Sequence, residues 1–244
     1  VCGIANFAFA FLLSYDFSLL CEEVLGALSA HTFTTFRVTA RRADKQFPLN
    51  SKEINEQLGA LIVTRLGKRV DLENYDLNCH IEIVGKHIFL YFEKEKGCGG
   101  LPTGSSGRVL SLISSGFDSP VASWKMMRRG CTVAFVHFHS YPYTSLASQE
   151  NVREIVKVLT KFQYRSTLVC VPFLDIQKTI SAADIPEGLR VVLYRRFMMR
   201  IAERIATQEE CKALVTGDSL GQVASQTLEN IAVISAAVTM PILR

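Results

Sequence analysis

Val109-Leu110-Ser111-Leu112-Ile113-Ser114-Ser115-Gly116-Phe117-Asp118-Ser119-Pro120 is the stretch on which the fold turns. Val109–Ile113 is an apolar run of strand length, Ser114–Ser119 is a corner of small and polar residues, and Pro120 suits the first turn of a helix, where its missing N–H costs nothing. Such a corner leaves backbone N–H groups unsatisfied beside the positive end of a helix dipole, and a phosphate fits there. The competing reading is an ordinary strand-to-helix turn, in which Ser, Gly and Asp are common anyway. The pattern lacks G-x-x-x-x-G-K-[ST], so a Walker-type ATPase is not supported.

Toward the C-terminus the period keeps switching. Pro120–Arg129 is helical, Thr132–Phe138 is an apolar run, and Asn151–Phe162 carries Val152, Ile155, Val156 and Leu159 on one face. Thr167–Phe173, the long pattern Pro186–Ala206 and Ala213–Thr216 continue the series. Strands alternating with helices predict an α/β domain with a parallel sheet covered on both sides. Toward the N-terminus, Gly97, Gly99, Gly100, Pro102, Gly104, Ser105, Ser106 and Gly107 crowd one short span, which reads as a linker. Before it, Phe33–Phe92 reads strand, helix, strand, strand. Phe36 and Val38 alternate with polar neighbours; Ile54, Leu58, Leu61 and Ile62 recur at helical spacing behind Asn50 and Ser51 as candidate N-caps; Cys79, Ile81 and Ile83 alternate again; and Gly85-Lys86 predicts a hairpin into Ile88–Phe92. This is a smaller α+β unit whose strand-rich half is antiparallel. The expected division is 1–96, a Gly-rich linker 97–107, and 108–244.

A chain of 244 residues suits two domains, and 48% hydrophobic residues supply a core, which excludes disorder and fibres. A net charge of +4 is too mild to demand a nucleic-acid partner. The seven cysteines include no C-x-x-C pair, so neither a zinc knuckle nor a disulfide framework is indicated, and a reducing compartment is expected. The apolar start, Val1–Tyr15, is too short to span a bilayer and has no basic flank; it reads as a buried strand rather than a shortened signal peptide. The absence of an initial Met and the closing Met240-Pro241-Ile242-Leu243-Arg244 read as a fragment of a longer chain.

Ser114–Pro120 resembles the pyrophosphate loop, S-G-G-x-D-S, of the ATP-pyrophosphatase superfamily. Further runs extend the likeness: Val136-His137-Phe138-His139-Ser140, Val171-Pro172-Phe173, Gln177-Lys178-Thr179-Ile180, Arg195–Arg200, and Thr216-Gly217-Asp218-Ser219-Leu220-Gly221-Gln222-Val223-Ala224-Ser225-Gln226-Thr227-Leu228. With them the chain resembles the tRNA 4-thiouridine synthetases along nearly its whole length, the first domain and Gly99-Gly100-Leu101-Pro102 matching that family's THUMP domain and the linker behind it. The resemblance implies a THUMP domain followed by a parallel-sheet pyrophosphate-loop (PP-loop) domain truncated at its C-terminus, with only a remnant of a ferredoxin-like region at the start. It implies a cytoplasmic enzyme in which ATP adenylates O4 of uridine 8 of tRNA and a persulfide sulfur displaces AMP. Mg²⁺, a cysteine desulfurase as sulfur donor, possible homodimers and a family link to thiamine biosynthesis come with it; no membrane partner does.

By the family's pattern, Leu112 and Ile113 flank the nucleotide, and Ser114, Ser115, Gly116, Asp118 and Ser119 form the phosphate loop. Asp118 is the expected catalytic residue, through Mg²⁺ or by orienting the loop; the alternative is a cap of the following helix. His137 and Phe138 end the second strand of the domain, where the family places the adenosine; the bland reading is a core histidine. Arg195, Gly217 and Gln226 match further nucleotide contacts, the Arg fork suiting phosphate oxygens. Ser115 departs from the consensus glycine. A Cβ there would crowd a phosphate or exclude positive φ, though Ser is small and its hydroxyl can donate.

For tRNA, Arg37, Arg41, Arg42 and Lys45 form a basic group in the first domain, and Arg196, Arg200 and Arg204 recur on one helix face, either as phosphate contacts or as a solvated face partnered by Glu203 and Glu187. No cysteine matches the family's sulfur-handling position, and Cys131, Cys170 and Cys211 read as inert burial. Two other functions compete: a PP-loop ligase acting on a small molecule, and a non-catalytic tRNA-binding protein with a decayed nucleotide site.

Overall fold

A computed structural model describes residues 2–223 and 226–244, so Ala224 and Ser225 of the Thr216–Leu228 run lie outside the described residues. Two compact units are distinguished, Asn6–Lys96 and Gly97–Arg244, the latter joined by the stretch ending at Ala5.

The first unit contains β1 (Asn6–Phe7), β2 (Phe11–Leu13), α1 (Phe17–Leu28), β3 (Thr35–Arg42), α2 (Ser51–Leu66), β4 (Arg69–Val70), β5 (Leu77–Val84), β6 (His87–Tyr91) and β7 (Glu95–Lys96). The start of α2 is set by Asn50, whose side chain accepts from the N–H groups of Lys52 and Glu53 while the Glu53 carboxylate takes the Asn50 N–H. Ser51 is therefore the first helical residue, not the cap. Gly67, at φ 64, ends the helix in a left-handed conformation.

Five strands form a sheet ordered β2-β6-β5-β3-β4. Pairing is antiparallel from β2 through β6 to β5 and parallel between β3 and β5, because α2 makes β5 a crossover return from β3. The expected hairpin joins Val84 to His87 across Gly85-Lys86. Phe36, Val38, Cys79, Ile81, Ile83, Ile88 and Leu90 face Leu20, Val24, Ile54, Leu58 and Ile62 of the two helices. The opposite face of the sheet has no helix of this unit on it.

The apolar start does not form the expected buried strand. It breaks into β1 and β2, and Phe9 and Leu12 remain 82% and 64% exposed. β2 is an edge strand that bonds only to β6, and while Leu13 packs against the core of this unit, Phe11 and Leu12 stay exposed.

The second unit runs β8 (Arg108–Leu112), α3 (Asp118–Arg128), β9 (Thr132–His139), α4 (Leu146–Thr160), β10 (Leu168–Pro172), α5 (Leu174–Ala182), α6 (Glu187–Gln208), β11 (Leu214–Val215), α7 (Leu228–Ser235) and β12 (Ile242–Leu243). The sheet order is β10-β9-β8-β11-β12, with every pair parallel. Val109, Val133 and Phe135 pack against Met127 of α3 and Val152, Val156 and Leu159 of α4. Leu110, Ala134, Val136 and Leu214 pack against Val192, Met199 and Ala202 of α6 and Ile234 of α7. Burial on both faces explains why these strands read as unbroken apolar runs. Residues 97–107 are tied in by backbone bonds, Gly97 N–H to Ala5, Gly99 N–H to Ile4 and Leu101 N–H to Arg128.

β8 comes first in sequence and lies in the middle of the sheet. The chain winds outward through β9 and β10, then returns to the other side for β11 and β12. The loops leaving β8 and β11 therefore diverge, and a crevice opens between them at the carboxyl ends of the strands.

Candidate active site

That crevice holds a cavity of about 360 Å³. Leu112, Ile113 and Ser114 reach it from β8, Asp118 and Ser119 from the start of α3, and His137 and Phe138 from the end of β9. Arg195 comes from α6, and Gly217 and Gln226 from the segment between β11 and α7. Ser115 and Gly116 are the two expected loop residues that do not line it; both are exposed on the loop.

The loop is pinned from within. Ser119 Oγ accepts from the Ser114 N–H at 2.9 Å and lies 3.1 Å from Ser114 Oγ. Below it, the fully buried hydroxyls of Ser111 and Ser123 are 2.8 Å apart, and Ser123 donates to the Ser119 carbonyl at 2.7 Å. This chain explains a serine in the middle of an apolar strand. The N-cap position of α3 is Phe117, whose side chain bonds to nothing there, so no side chain caps the helix start. Asp118 is not the cap; its carboxylate accepts from Gln222 Nε2 at 3.1 Å.

Ser115 introduces no strain. Among the described residues the only non-glycine positions at positive φ are Tyr164 and Glu210, and a Cβ at Gly116 meets nothing closer than Ser114 Oγ at 3.6 Å. The glycine that the geometry requires is Gly217: a Cβ there would lie 2.4 Å from the Ser119 nitrogen and 2.7 Å from the Asp118 carbonyl carbon. The end of β11 thus presses backbone to backbone on the beginning of α3, a contact only glycine permits.

Charge concentrates on Asp218, a residue of the Thr216–Leu228 run to which the sequence pattern assigns no role. Its Oδ1 forms a close ion pair with Arg195 and accepts from Gln226 Nε2 at 3.3 Å, and Arg244 approaches Oδ2 at 4.0 Å. Thr216 and the apolar Val136, Met198 and Met199 were also passed over; they complete the cavity wall. Apolar residues carry no local chemical signal, and only the crossing of α6 over the strand ends brings the two methionines to this wall. His137 is 6% exposed, with Nδ1 3.0 Å from the Ile113 carbonyl; burial pushes its pKa down, partly opposed by that bond.

Asp118 and Asp218 are carboxylates on a wall shared with the phosphate loop. Mg²⁺ takes one or two carboxylates together with phosphate oxygens and water, so these residues fit that ion without a dedicated cage. Among the described residues no group of three or more His, Cys, Asp or Glu side chains is arranged to hold a metal.

The basic residues chosen in the first unit do not share one surface. Arg37 and Arg41 project from the uncovered face of the sheet, Arg37 over the Tyr75 ring at 5.9 Å. Arg42 projects from the opposite face and donates to the Phe47 and Leu49 carbonyls at 3.0 and 3.1 Å, while Lys45 is exposed in the following loop. In α6, Arg200 and Arg204 are exposed and Arg196 donates to the Val233 carbonyl. Glu203 is not their partner: it accepts from the N–H groups of Thr239 and Met240. Cys131 and Cys211 are buried as expected, whereas Cys170 is half-buried.

The family profile described as Thiamine biosynthesis protein (ThiI) matches residues 104–244, and the THUMP domain profile matches residues 16–93. The chain belongs to the ThiI family. A probable tRNA sulfurtransferase of Thermus thermophilus is 45% identical over 99% of this chain and 59% of its own length. One from Coxiella burnetii is 43% identical over 100% of this chain and 64% of its own. The ThiI-family chain thus spans about three-fifths of these relatives. A crystal structure of a 4-thiouridine synthetase–RNA complex with bound ATP superposes with a TM-score of 0.88 at 36% identity, covering 98% of this chain and 64% of that one. A Pyrococcus horikoshii protein superposes at 0.76 with 25% identity, covering 99% and 71%. A ThiI PP-loop domain behind a THUMP domain is the architecture, in agreement with the α/β and α+β reading of the sequence.

Proposed function

We propose that this chain carries the ATP-handling and RNA-handling parts of a tRNA sulfurtransferase that makes 4-thiouridine at position 8 of tRNA. Uridine O4 attacks the α-phosphorus of ATP, the bond to pyrophosphate breaks, and the base is left as an adenylate. Persulfide sulfur, supplied in the cytoplasm by a cysteine desulfurase, then attacks C4 and O4 departs with AMP; a second thiol attacks the carrier sulfur of the resulting mixed disulfide, so that the S–S bond breaks, the outer sulfur stays on C4 and the two thiols leave as a disulfide. Adenylation is needed because a uracil oxygen is a poor leaving group.

The observation that supports this reading is that ten residues matching the family's nucleotide pattern, drawn from four separate segments, line one cavity. In it the uncapped start of α3 and the Arg195 guanidinium stabilise phosphate charge, and the apolar wall of Leu112, Val136, Phe138 and Met199 accepts a purine. Asp118 orients the nucleotide beside the loop and, with Asp218, is the residue that would hold Mg²⁺, an ion that neutralises developing phosphate charge. The first unit supplies RNA affinity through Arg37 and Arg41, with Lys45 nearby in the chain. The RNA complex and bound ATP of the 36% identical relative support the same two ligands.

Sulfur transfer is assigned to no cysteine of this chain. Burial pushes the Cys211 thiol up to about 11 and the Cys79 thiol up to about 12, and it raises that of Cys131, so these groups stay protonated and inert. A small-molecule ligase gains nothing from the THUMP domain, and an unstrained Ser115 removes the one hint of a decayed nucleotide site.

The test is tRNA-dependent pyrophosphate release. Asp118→Ala is expected to reduce it by about a hundredfold or more, a typical loss for a group aligned with the reacting phosphate, with tRNA affinity unchanged. Release equal to that of the unaltered chain would remove Asp118 from the mechanism, and failure of the unaltered chain to bind ATP would overturn the proposal.

A further inference from the structure

In the first unit a groove of about 640 Å³ lies between α2 and the edge of β3. Val38, Val70 and Leu72 line one side of it, and Gly59 and Ala60 of α2 line the other. Val70 and Leu72 are 44% and 63% exposed, so the groove leaves aliphatic surface in water. Gly59 sits inside α2, where glycine weakens a helix relative to alanine, yet a Cβ there would meet nothing within 4 Å. Packing within the unit therefore does not call for this glycine; its effect is to keep the α2 side of the groove open.

The β3 side is a strand edge. Alternate residues of a strand turn their N–H and C=O groups to the same edge. On this one the Phe36 carbonyl takes the Asp71 N–H at 3.0 Å, and the Ala40 N–H is given to Asn55 Oδ1 at 2.8 Å. β4 ends at Val70, the register partner of Phe36. Val38, between Phe36 and Ala40, turns its N–H and C=O to the same edge, and no described residue bonds to either group. A side chain of α2 thus stands in for a strand at Ala40, and nothing does so at Val38. An open edge of this kind is a template for another extended chain.

Charge selects the occupant. Around the groove Arg37 and Lys52 are matched by Glu56 and Glu73, and Lys52 and Glu56 lie 3.7 Å apart. A polyanion needs a surplus of cations. An uncharged main chain with aliphatic side chains finds its complement in a neutral, apolar groove whose edge holds a free donor and a free acceptor.

We infer that this groove docks an extended, aliphatic peptide of a partner protein, added as a strand beside Val38. Main-chain bonds to Val38 supply affinity, and the space over Gly59 selects the side chain that enters. This surface goes beyond the nucleotide and RNA chemistry above and does not depend on it.

The test is selection of displayed random decapeptides on the whole chain, with counter-selection on Gly59→Leu, followed by calorimetry and amide hydrogen exchange with the synthetic peptides obtained. Expected are enrichment of near-neutral aliphatic sequences, binding weakened about tenfold or more by Gly59→Leu, whose side chain occupies the space of the peptide's own, and slowed exchange of the Val38 amide in the complex. N-methylation of the peptide amides one at a time is expected to weaken binding about tenfold or more at an amide facing Val38 and to spare its two neighbours, the signature of a main-chain bond. That scan uses the unaltered chain, so it decides the matter even where Gly59→Leu fails to fold. No enriched peptide, N-methylation without effect at every position, or unslowed Val38 exchange would overturn the inference. Oligouridylate that slows Val38 exchange would overturn it in favour of nucleic acid, and exchange that slows as the concentration of the chain alone rises would overturn it in favour of a second copy.

Discussion

The two five-stranded sheets of this chain differ in how many faces they bury. In β5, buried Cys79, Ile81 and Ile83 alternate with half-buried His80 and Glu82, whereas in β9 Val133 through His137 are buried without a break. A sheet covered on one face offers the other as a broad platform, here carrying Arg37, Arg41 and a His80 ring stacked on Tyr91 at 4.7 Å. A sheet covered on both faces has no platform to offer, so a ligand must enter at the ends of its strands, where the connections diverge. The first geometry suits an extended polyanion held by many weak contacts; the second suits a small molecule enclosed on several sides. Tyr91 illustrates how closely the platform is built: burial and its bond to Glu82 push its hydroxyl up to about 12, so it stays a donor at all ordinary pH.

The sharpest way to break this comparison is at the point where the second sheet makes its crevice. Gly217→Val places side-chain atoms where the Ser119 nitrogen already lies within 2.4 Å of a Cβ, and separation of the two loops is expected to reduce ATP affinity by about a hundredfold, measured by calorimetry. Retained affinity would mean that the close approach does not shape the cavity. In the first sheet the equivalent blow falls on the covered face. Ile81→Ala leaves a cavity at a fully buried position and is expected to destabilise this unit by about 2–5 kcal/mol in denaturant unfolding, with ATP affinity untouched. Smaller effects separate the two faces of β3. Arg42→Glu loses two bonds to backbone carbonyls and is expected to cost about 1–3 kcal/mol of stability. Arg41→Glu leaves stability within about 0.5 kcal/mol, as for other exposed substitutions, but weakens tRNA binding and lowers its salt slope by about 1. If both substitutions alter the salt slope equally, the platform is not the RNA surface.

Much of this was legible because local rules and the tertiary fold agree. Asn50, one of two candidate caps, marked the start of α2, Gly85-Lys86 marked the hairpin, and the apolar runs of β8, β9 and β10 announced a doubly covered parallel sheet. The apolar start was misread because periodicity cannot distinguish an edge strand from a central one. β12 went unread because two residues carry no pattern. Grouping Arg42 with Arg41 failed for a more basic reason: adjacent residues in a strand point to opposite faces.

The sequence by itself determined the chemistry of the loop, the alternation of strands and helices, and the small-residue corner that ends β8, since all of these depend on neighbours a few residues apart. Tertiary structure alone decided that Asp218 would clamp Arg195 and Gln226, that Met198 and Met199 would close an apolar wall, and that His137, on the cavity wall, would keep a buried nitrogen without a partner among the described residues. Those relations join residues of separate segments, and the ones that cross from α6 exist only because the sheet reverses its strand order at β8 and brings the ends of β8, β9 and β11 beside α6.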